Sequence, residues 1–375
     1  MRAERCIGVM SGTSLDGVDA VLAAFDGSAC RVLAAVHRPF PGALRGELLA
    51  LQAAGADELA RAARASNALA DAYAAAIVDV LAAAGVAAAD VAAAGVHGQT
   101  VRHCPAEGWT LQLNNAARVA ERAGVTVVAD FRARDLAAGG QGAPLVPAFH
   151  AAMFARDDAD RVVVNVGGIA NLTLLPAAGG VAAVRGFDTG PGNVLMDLWC
   201  ARHLGEAFDR DGAWARSGRV DAALLEALLA EPYFAAPPPK STGRDLFNAD
   251  WLARILARHG DRGAATPDAA AVEATLLALT ARTIADAVVA AGAGADAEVY
   301  VCGGGANNAA LMAALAGALA PRPVATTASC GVAVEHVEAL AFAWLARAAL
   351  AGLPGNLPAV TGARGLRVLG AIHPA

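Results

Sequence analysis

Short apolar runs alternate along this chain with longer stretches of helical spacing. Three strand-like runs open it, Cys6–Val9, Val18–Phe25 and Arg31–Val36. Apolar positions at period two read as strand, whereas recurrence at three and four residues reads as amphipathic helix. Helices are accordingly predicted over roughly Gly42–Ala53 and Asp57–Ala84, followed by a strand near Ala92–Val96, a loop His97–Thr100 and a short β pair around Trp109–Leu113. A helix Ala116–Ala123, capped by Asn114 or Asn115, and a strand Val125–Ala129 ending in Asp130-Phe131-Arg132 complete this half.

The segment Ala137–Pro147, rich in glycine and proline, breaks the pattern and is the candidate junction. The opening then repeats: a β run Arg161–Val166, a turn at Gly167-Gly168, a returning strand Ala170–Leu175 and a third strand Val181–Phe187. Two such openings in one chain point to a duplicated core. Further on come a long helical stretch Asp268–Ala291, a strand Glu298–Val301, a turn Cys302–Asn308, a helix Asn308–Leu319, a strand near Val324–Thr327 and a helix from about Val334 to Ala351. Strands alternating with helices predict an α/β fold in two lobes, with largely parallel or mixed sheets.

At 375 residues the chain has room for two domains with sizeable cores. Its 56% hydrophobic content, much of it alanine, and its net charge of −6 describe a compact, mildly acidic protein. That charge, with no run of Lys or Arg, argues against a nucleic-acid surface. Lys240 is the chain's single lysine, and no Gly-rich loop ends in it, which excludes a P-loop. Cysteines at 6, 30, 104, 200, 302 and 330 form no C-x-x-C pair, so reduced thiols in a cytoplasmic protein are expected and a zinc site is not. The longest uncharged stretch, Asn165–Val184, holds several glycines and Pro176 and reads as strands and turns rather than a membrane span. The N-terminal apolar run meets Asp16 early and lacks a cleavage region, so no targeting segment is expected.

Five polar constellations stand out. In Gly8–Asp19, glycines expose backbone N–H groups to an anion, Thr13 and Ser14 can donate to phosphate oxygens, and Asp16 and Asp19 could hold Mg²⁺ or its waters. The same residues also suit a Gly-rich β-turn capped by its Asp residues. Gly186–Asn193 follows a strand and precedes an apolar helix; Asp188 there suits a general base, with a helix cap as the alternative and Asn193 the better-placed cap. Gly303-Gly304-Gly305 and Asn307, between a strand and a helix, fit either close approach of a ligand or close packing of helix on strand. Pro239–Asp245 gathers two cations and two hydroxyls, as a polyanion contact or an ordinary solvated loop. His97, Gln99, Thr100, Asp130, Arg132 and Asn171 fall at strand ends and could line a polyol-binding cleft.

Taken together, residues 8–19, 97–100, 129–150, 165–171, 186–193, 239–247 and 303–308 resemble the motifs of the anhydro-N-acetylmuramic acid kinase family, in order and over nearly the whole length. Glu338–Leu345 fits as well, while Ser329–His336 is less acidic than the family leads one to expect. The resemblance implies the duplicated, two-lobed fold of the sugar kinase, actin and heat-shock ATPase superfamily, which is ribonuclease H-like, with a nucleotide cleft between the lobes. Lobe I would be residues 1–135 plus about 353–375, and lobe II residues 136–352.

It further implies that ATP and water convert 1,6-anhydro-N-acetylmuramic acid, a cell-wall recycling product, into N-acetylmuramic acid 6-phosphate. Asp188 would activate the water. Gly12, Thr13, Ser14, Leu15, Asp16, Gly17, Val18 and Asp19 would cradle the ATP phosphates, with Mg²⁺ at Asp16 and Asp19. Gly303, Gly304, Gly305 and Asn307 would approach the nucleotide from the other lobe. Gln99, Thr100, Asp130, Arg132 and Asn171 would face the sugar, Arg132 taking its lactyl carboxylate, and Glu338 would contact sugar or phosphate. A homodimer in the cytoplasm, without nucleic-acid or membrane partners, completes the expectation; Lys240 has no role in it. Two rivals remain: a conventional hydroxyl kinase of the same superfamily, and a nucleotide-gated binding protein without sugar-dependent turnover.

Overall fold

A computed structural model describes residues 3–12, 15–27, 29–178, 180–261 and 267–375. The chain divides into two units by its internal contacts. Unit 1 comprises Met1–Met153 and His336–Ala375, and unit 2 comprises Phe154–Glu335.

The strands in chain order are β1 (Glu4–Met10), β2 (Gly17–Asp26), β3 (Ala29–Pro39), β4 (Ala93–Val96), β5 (Gln99–Cys104), β6 (Trp109–Leu113), β7 (Val127–Ala129), β8 (Arg161–Val166), β9 (Ile169–Leu175), β10 (Arg185–Pro191), β11 (Glu298–Cys302), β12 (Val324–Thr326) and β13 (Ala371–His373). In unit 1 the main sheet runs β13-β7-β4-β1-β2-β3, and β5 with β6 forms a separate hairpin. Pairs β1–β2 and β2–β3 are antiparallel, and β1–β4 and β4–β7 parallel. Unit 2 carries the order β10-β9-β8-β11-β12. There too β8–β9 and β9–β10 are antiparallel, and β8–β11 and β11–β12 parallel. Numbered within each unit, both sheets therefore read 3-2-1-4-5 with the same strand directions. The duplication expected from the repeated opening is present in the topology, and unit 1 adds only the antiparallel edge strand β13.

Continuous apolar runs make the central strands. Five consecutive residues of β1, Cys6–Met10, are buried, as a strand covered on both faces requires. The helix Glu58–Ala84 is long and apolar enough to cross a membrane by length and composition alone. Leu69, Tyr73, Ile77 and Val80 on it are fully buried in the unit 1 core, so its apolar face is that of a core helix. Asn115, rather than Asn114, caps the helix Ala116–Ala123 by accepting from Arg118 N–H at 3.1 Å.

Three expectations shift. Gln99 and Thr100 are not loop residues but start β5, and Gln99 pairs with Leu113. Residues 180–183 form a 3₁₀ turn, and the third strand of unit 2 runs through Arg185–Pro191, so Asp188 lies inside a strand. The third concerns the division of the chain, which falls at 153/154 and 335/336 instead of near 135 and 352.

Two contacts explain that division. The helix Val337–Leu350 lies directly on β1 and β4: a Cβ built on Gly8 would collide with the Ala339 carbonyl, and one on Gly95 with the Phe342 carbonyl. Glycines at two strand positions thus let a helix backbone sit closer than side chains allow, which binds residues 337–350 to the first sheet. The glycine-rich loop after residue 138 is also held in unit 1, through Asp135. Its carboxylate accepts from Gly142 N–H at 2.8 Å, Asn356 Nδ2 at 2.7 Å and Thr361 Oγ1 at 2.8 Å.

Gly95→Ala should lower stability by at least about 2 kcal/mol through overpacking. Urea unfolding followed by circular dichroism should show a lower midpoint at unchanged slope; an unchanged midpoint would refute the close-contact account.

Candidate active site

The polar residues singled out in the sequence fall into two groups, one in each unit. In unit 1 the described residues on either side of positions 13 and 14 shape the connection from β1 to β2. Leu15 is fully buried with φ +54°, and its N–H donates to Gly12 O at 3.3 Å. A buried left-handed leucine is a strained conformation that only surrounding packing sustains. Ser11 Oγ pairs with the buried Tyr73 hydroxyl at 2.7 Å, which anchors the start of the turn. Thr13 and Ser14, expected to donate to phosphate, lie outside the described residues. Gly17 begins β2, where a Cβ would collide with the Arg38 carbonyl, and Val18 is buried. Both therefore shape the turn rather than face outward.

Asp19 lies in β2 and its Oδ1 contacts His37 Nδ1 at 2.8 Å. Burial pushes the Asp19 carboxyl up and outweighs the pull of His37, and the nearby Asp16 charge raises it further. Two carboxylates that feel each other, one exposed and one partly buried, fit a cation held mainly by phosphate and water. Among the described residues no group of three or more His, Cys, Asp or Glu forms an all-protein metal site.

Gln99, 1% exposed, donates from Nε2 to Gly12 O at 3.2 Å and so fixes the same turn. Its Oε1 is buried, and among the described residues no partner reaches it. Thr100 Oγ1 accepts from Gln112 Nε2 at 3.1 Å. Arg132 turns inward: Nε and Nη2 lie 3.2 and 2.9 Å from His97 Nε2, and Nη1 donates to Gly142 O at 2.8 Å. Burial and the adjacent guanidinium hold His97 well below the usual imidazole range, so it is neutral and accepts from Arg132. Asp130, two residues earlier, turns elsewhere. It sits at φ +58° and lines an open cavity of about 560 Å³ with Arg134, Leu366, Arg367 and Val368. Glu338, half-buried, is in the first turn of the helix on β1, and His336 just before it acts electrostatically on Asp19. Glu338 thus belongs with the β1–β2 turn of unit 1, whereas the sequence boundaries placed it in the second lobe.

In unit 2 the sheet aligns a row of polar residues. Asp188 of β10 is the register partner of Asn171 on β9, and Asn171 is the partner of Asn165 on β8. Side chains directly opposite on antiparallel strands share a face. Asp188 is only 8% exposed. Its Oδ2 accepts from Thr242 N–H at 3.0 Å, its own N–H donates to Lys240 O at 3.3 Å, and its carbonyl accepts from Tyr233 OH at 2.7 Å. Asn171 Oδ1 is buried, and among the described residues it too has no partner. A bulge at Thr189, between Asp188 and Gly190, ends regular pairing just after the carboxylate. The cap alternative for Asp188 does not occur. Asn193 occupies the N-cap position but makes no capping bond; its Nδ2 lies 3.4 Å from Val166 O.

The glycine run after β11 realises the packing alternative at two positions. A Cβ on Gly303 would meet Asn165 Oδ1 and the Val166 carbonyl, and one on Gly305 would meet the Val166 side chain. Gly304 is exposed, with only Asn193 Nδ2 within reach. Asn307 is exposed and its Nδ2 donates to Glu335 Oε1 at 3.3 Å, while Asn308 caps the following helix.

With this geometry established, comparison with known proteins is decisive. A family model described as anhydro-N-acetylmuramic acid kinase matches residues 4–375. The chain belongs to the anhydro-N-acetylmuramic acid kinase family. Proteins of that name are 58% identical in Bordetella parapertussis, covering 98% of this chain and 96% of theirs, and 56% identical in Cupriavidus pinatubonensis over the full length of both. One from Nitrosomonas europaea is 53% identical, covering 98% of this chain and 99% of its own. Among solved structures, a ROK family glucokinase from Streptomyces griseus in complex with glucose and AMPPNP superposes with a TM-score of 0.41 at 14% identity, covering 92% of this chain and 99% of that one. The chain is an enzyme, a kinase of this family.

Sequence reasoning assigned no individual role to Asp135, Tyr233 or Asn165, and it took Thr242 only as one of the hydroxyls of Pro239–Asp245. The signal for Asp135 was the Gly139-Gly140-Gln141-Gly142 run that follows, whose Gly142 N–H needs a buried acceptor. Asp135→Ala should remove the acceptor shared by Gly142 N–H, Asn356 Nδ2 and Thr361 Oγ1 and cost about 3–5 kcal/mol. A drop in the urea midpoint far larger than that of an exposed control such as Asp158→Ala is expected, and equal midpoints would refute the role.

Proposed function

We propose that this kinase uses ATP and water to open 1,6-anhydro-N-acetylmuramic acid and phosphorylate it to N-acetylmuramic acid 6-phosphate, a step in cell-wall recycling. The observation that carries the proposal is the Asp188 carboxylate, buried yet held by Thr242 N–H, with the unpartnered Asn171 Oδ1 opposite it on the sheet. A fixed acceptor of this kind suits a base, and an orphaned acceptor beside it suits a ligand that donates hydrogen bonds.

Asp188 takes a proton from water as the water oxygen bonds to the anomeric carbon. The bond from that carbon to oxygen 6 breaks on the opposite face, as in inverting glycoside hydrolysis. Oxygen 6 then takes the γ-phosphoryl group and ADP departs. Phosphoryl capture of the leaving oxygen removes the need for a separate acid.

The β1–β2 turn is the phosphate cradle of this reading, with Gln99 holding its Gly12 carbonyl in place. Asp16 and Asp19 would hold Mg²⁺ directly or through its waters, and it would supply charge neutralisation at the phosphates. Gln99 Oε1 and Asn171 Oδ1 accept from sugar hydroxyl or amide groups. Arg132 remains the cation for the lactyl carboxylate; its hold on neutral His97 and Gly142 O fixes the guanidinium plane. A cytoplasmic homodimer belongs to the same proposal.

Incubation with Mg-ATP and the anhydro-sugar in ¹⁸O-labelled water should give a product heavier by one phosphate and one labelled anomeric oxygen. Asp188→Asn should still bind both substrates and lose turnover by at least about a thousandfold. Phosphorylation only of the ring-opened sugar would instead indicate a conventional hydroxyl kinase. Nucleotide binding without phosphorylation of either sugar would overturn the enzymatic reading altogether.

A further inference from the structure

The single lysine lies in the loop that supports Asp188, where the family resemblance leaves it unassigned. Lys240 Nζ donates to the carbonyls of Tyr233 and Phe234, both at 3.1 Å. It also lies 4.7 Å from the Tyr233 ring centroid and 5.6 Å from that of Phe187, the residue before Asp188. The Tyr233 ring belongs to a packed aromatic group with Phe234 and Phe247. Phe234 stacks on the fully buried Phe247 at 5.6 Å, and Trp251 meets Phe247 edge-on at 5.2 Å.

Three hydrogen bonds at Asp188 come from this assembly. Tyr233 OH donates to its carbonyl, the Lys240 carbonyl accepts its N–H, and Thr242 N–H holds its Oδ2. The ammonium thus joins the short helix Pro232–Ala235 to the loop at 240–242, and both grip the strand at the carboxylate. Burial disfavours the Lys240 cation, and the Asp188 charge favours it.

We propose that Lys240 is a positioning residue for Asp188, fixing by hydrogen bonds and cation–π contact the loop that orients the carboxylate, with its positive charge part of that hold. The inference rests on Asp188 being the base. A plain structural staple would need only the two hydrogen bonds to the helix carbonyls, and the two roles separate on charge.

Lys240→Gln retains a donor without charge, Lys240→Met removes both, and Lys240→Arg keeps the cation. Steady-state kinetics with Mg-ATP and the anhydro-sugar, beside Asp188→Asn, read the difference. For Gln and Met, kcat should fall at least tenfold while KM for both substrates stays within threefold, and Arg should recover to within threefold of the wild-type kcat. A Gln variant at wild-type kcat overturns the charge role, whether or not the Met variant folds. A fall in kcat that Arg fails to rescue, or one matched by an equal rise in KM, overturns the proposal in favour of packing alone. If Asp188→Asn keeps wild-type turnover, the reading of Asp188 as base fails instead, whatever the Lys240 variants show.

Discussion

A carboxylate withdrawn from water must find hydrogen bonds or a compensating charge, or else it takes up a proton. Asp188 is buried near the end of the third strand of unit 2, and much of the local structure answers that requirement. Thr242 N–H meets one oxygen, and Lys240 brings a cation to the same loop. The aromatic group around Phe247 gives the loop something rigid to rest on. A side chain held this firmly has little freedom left to lose when a ligand arrives, which is the physical meaning of preorganisation.

The same sheet plan serves a different task in unit 1. There the first two strands are joined by a turn whose buried, left-handed Leu15 and Gln99-held carbonyl keep the backbone in one shape. In unit 2 the equivalent turn at Gly167 and Gly168 is spent internally, its carbonyls accepting the N–H groups of Gly192, Asn193 and Val194. Duplication of topology has therefore not meant duplication of chemistry. In unit 2 that turn seats a helix, and the buried carboxylate of Asp188 lies on the third strand.

Much of this was legible in the sequence because it is local. Apolar runs such as Cys6–Val9 and Arg161–Val166 identified the first strands of both units, and their repetition anticipated the matching sheets. The pairing of Asp188 with Asn171 was not legible, since register depends on where a bulge falls among Gly186, Gly190 and Gly192. Those glycines read as a loop, although here they ease the strand past Phe234 and the turn at Gly167. Asp130 and Arg132 read as one cluster because they are adjacent in sequence, but a left-handed residue at 130 sends the two side chains to different neighbours. The helix Val337–Leu350 was assigned to the wrong neighbour for a related reason. Its partners, Gly8 and Gly95, lie hundreds of residues away, and a strand glycine says nothing by itself about what lies above it.

That helix carries a consequence for how the polypeptide comes into being. Unit 2 is one uninterrupted segment, whereas unit 1 is built from the beginning and the end of the chain. Emerging from the ribosome, the first sheet has strands β1 to β4 but lacks the helix that covers them and the edge strand β13 until the last residues are made. The middle segment needs nothing from beyond residue 335, so it can close first while the amino-terminal strands wait with apolar surface uncovered. The connectivity leaves the first apolar sheet to be made among the last to be covered. Uncovered apolar surface of this kind is what makes a nascent chain prone to aggregate.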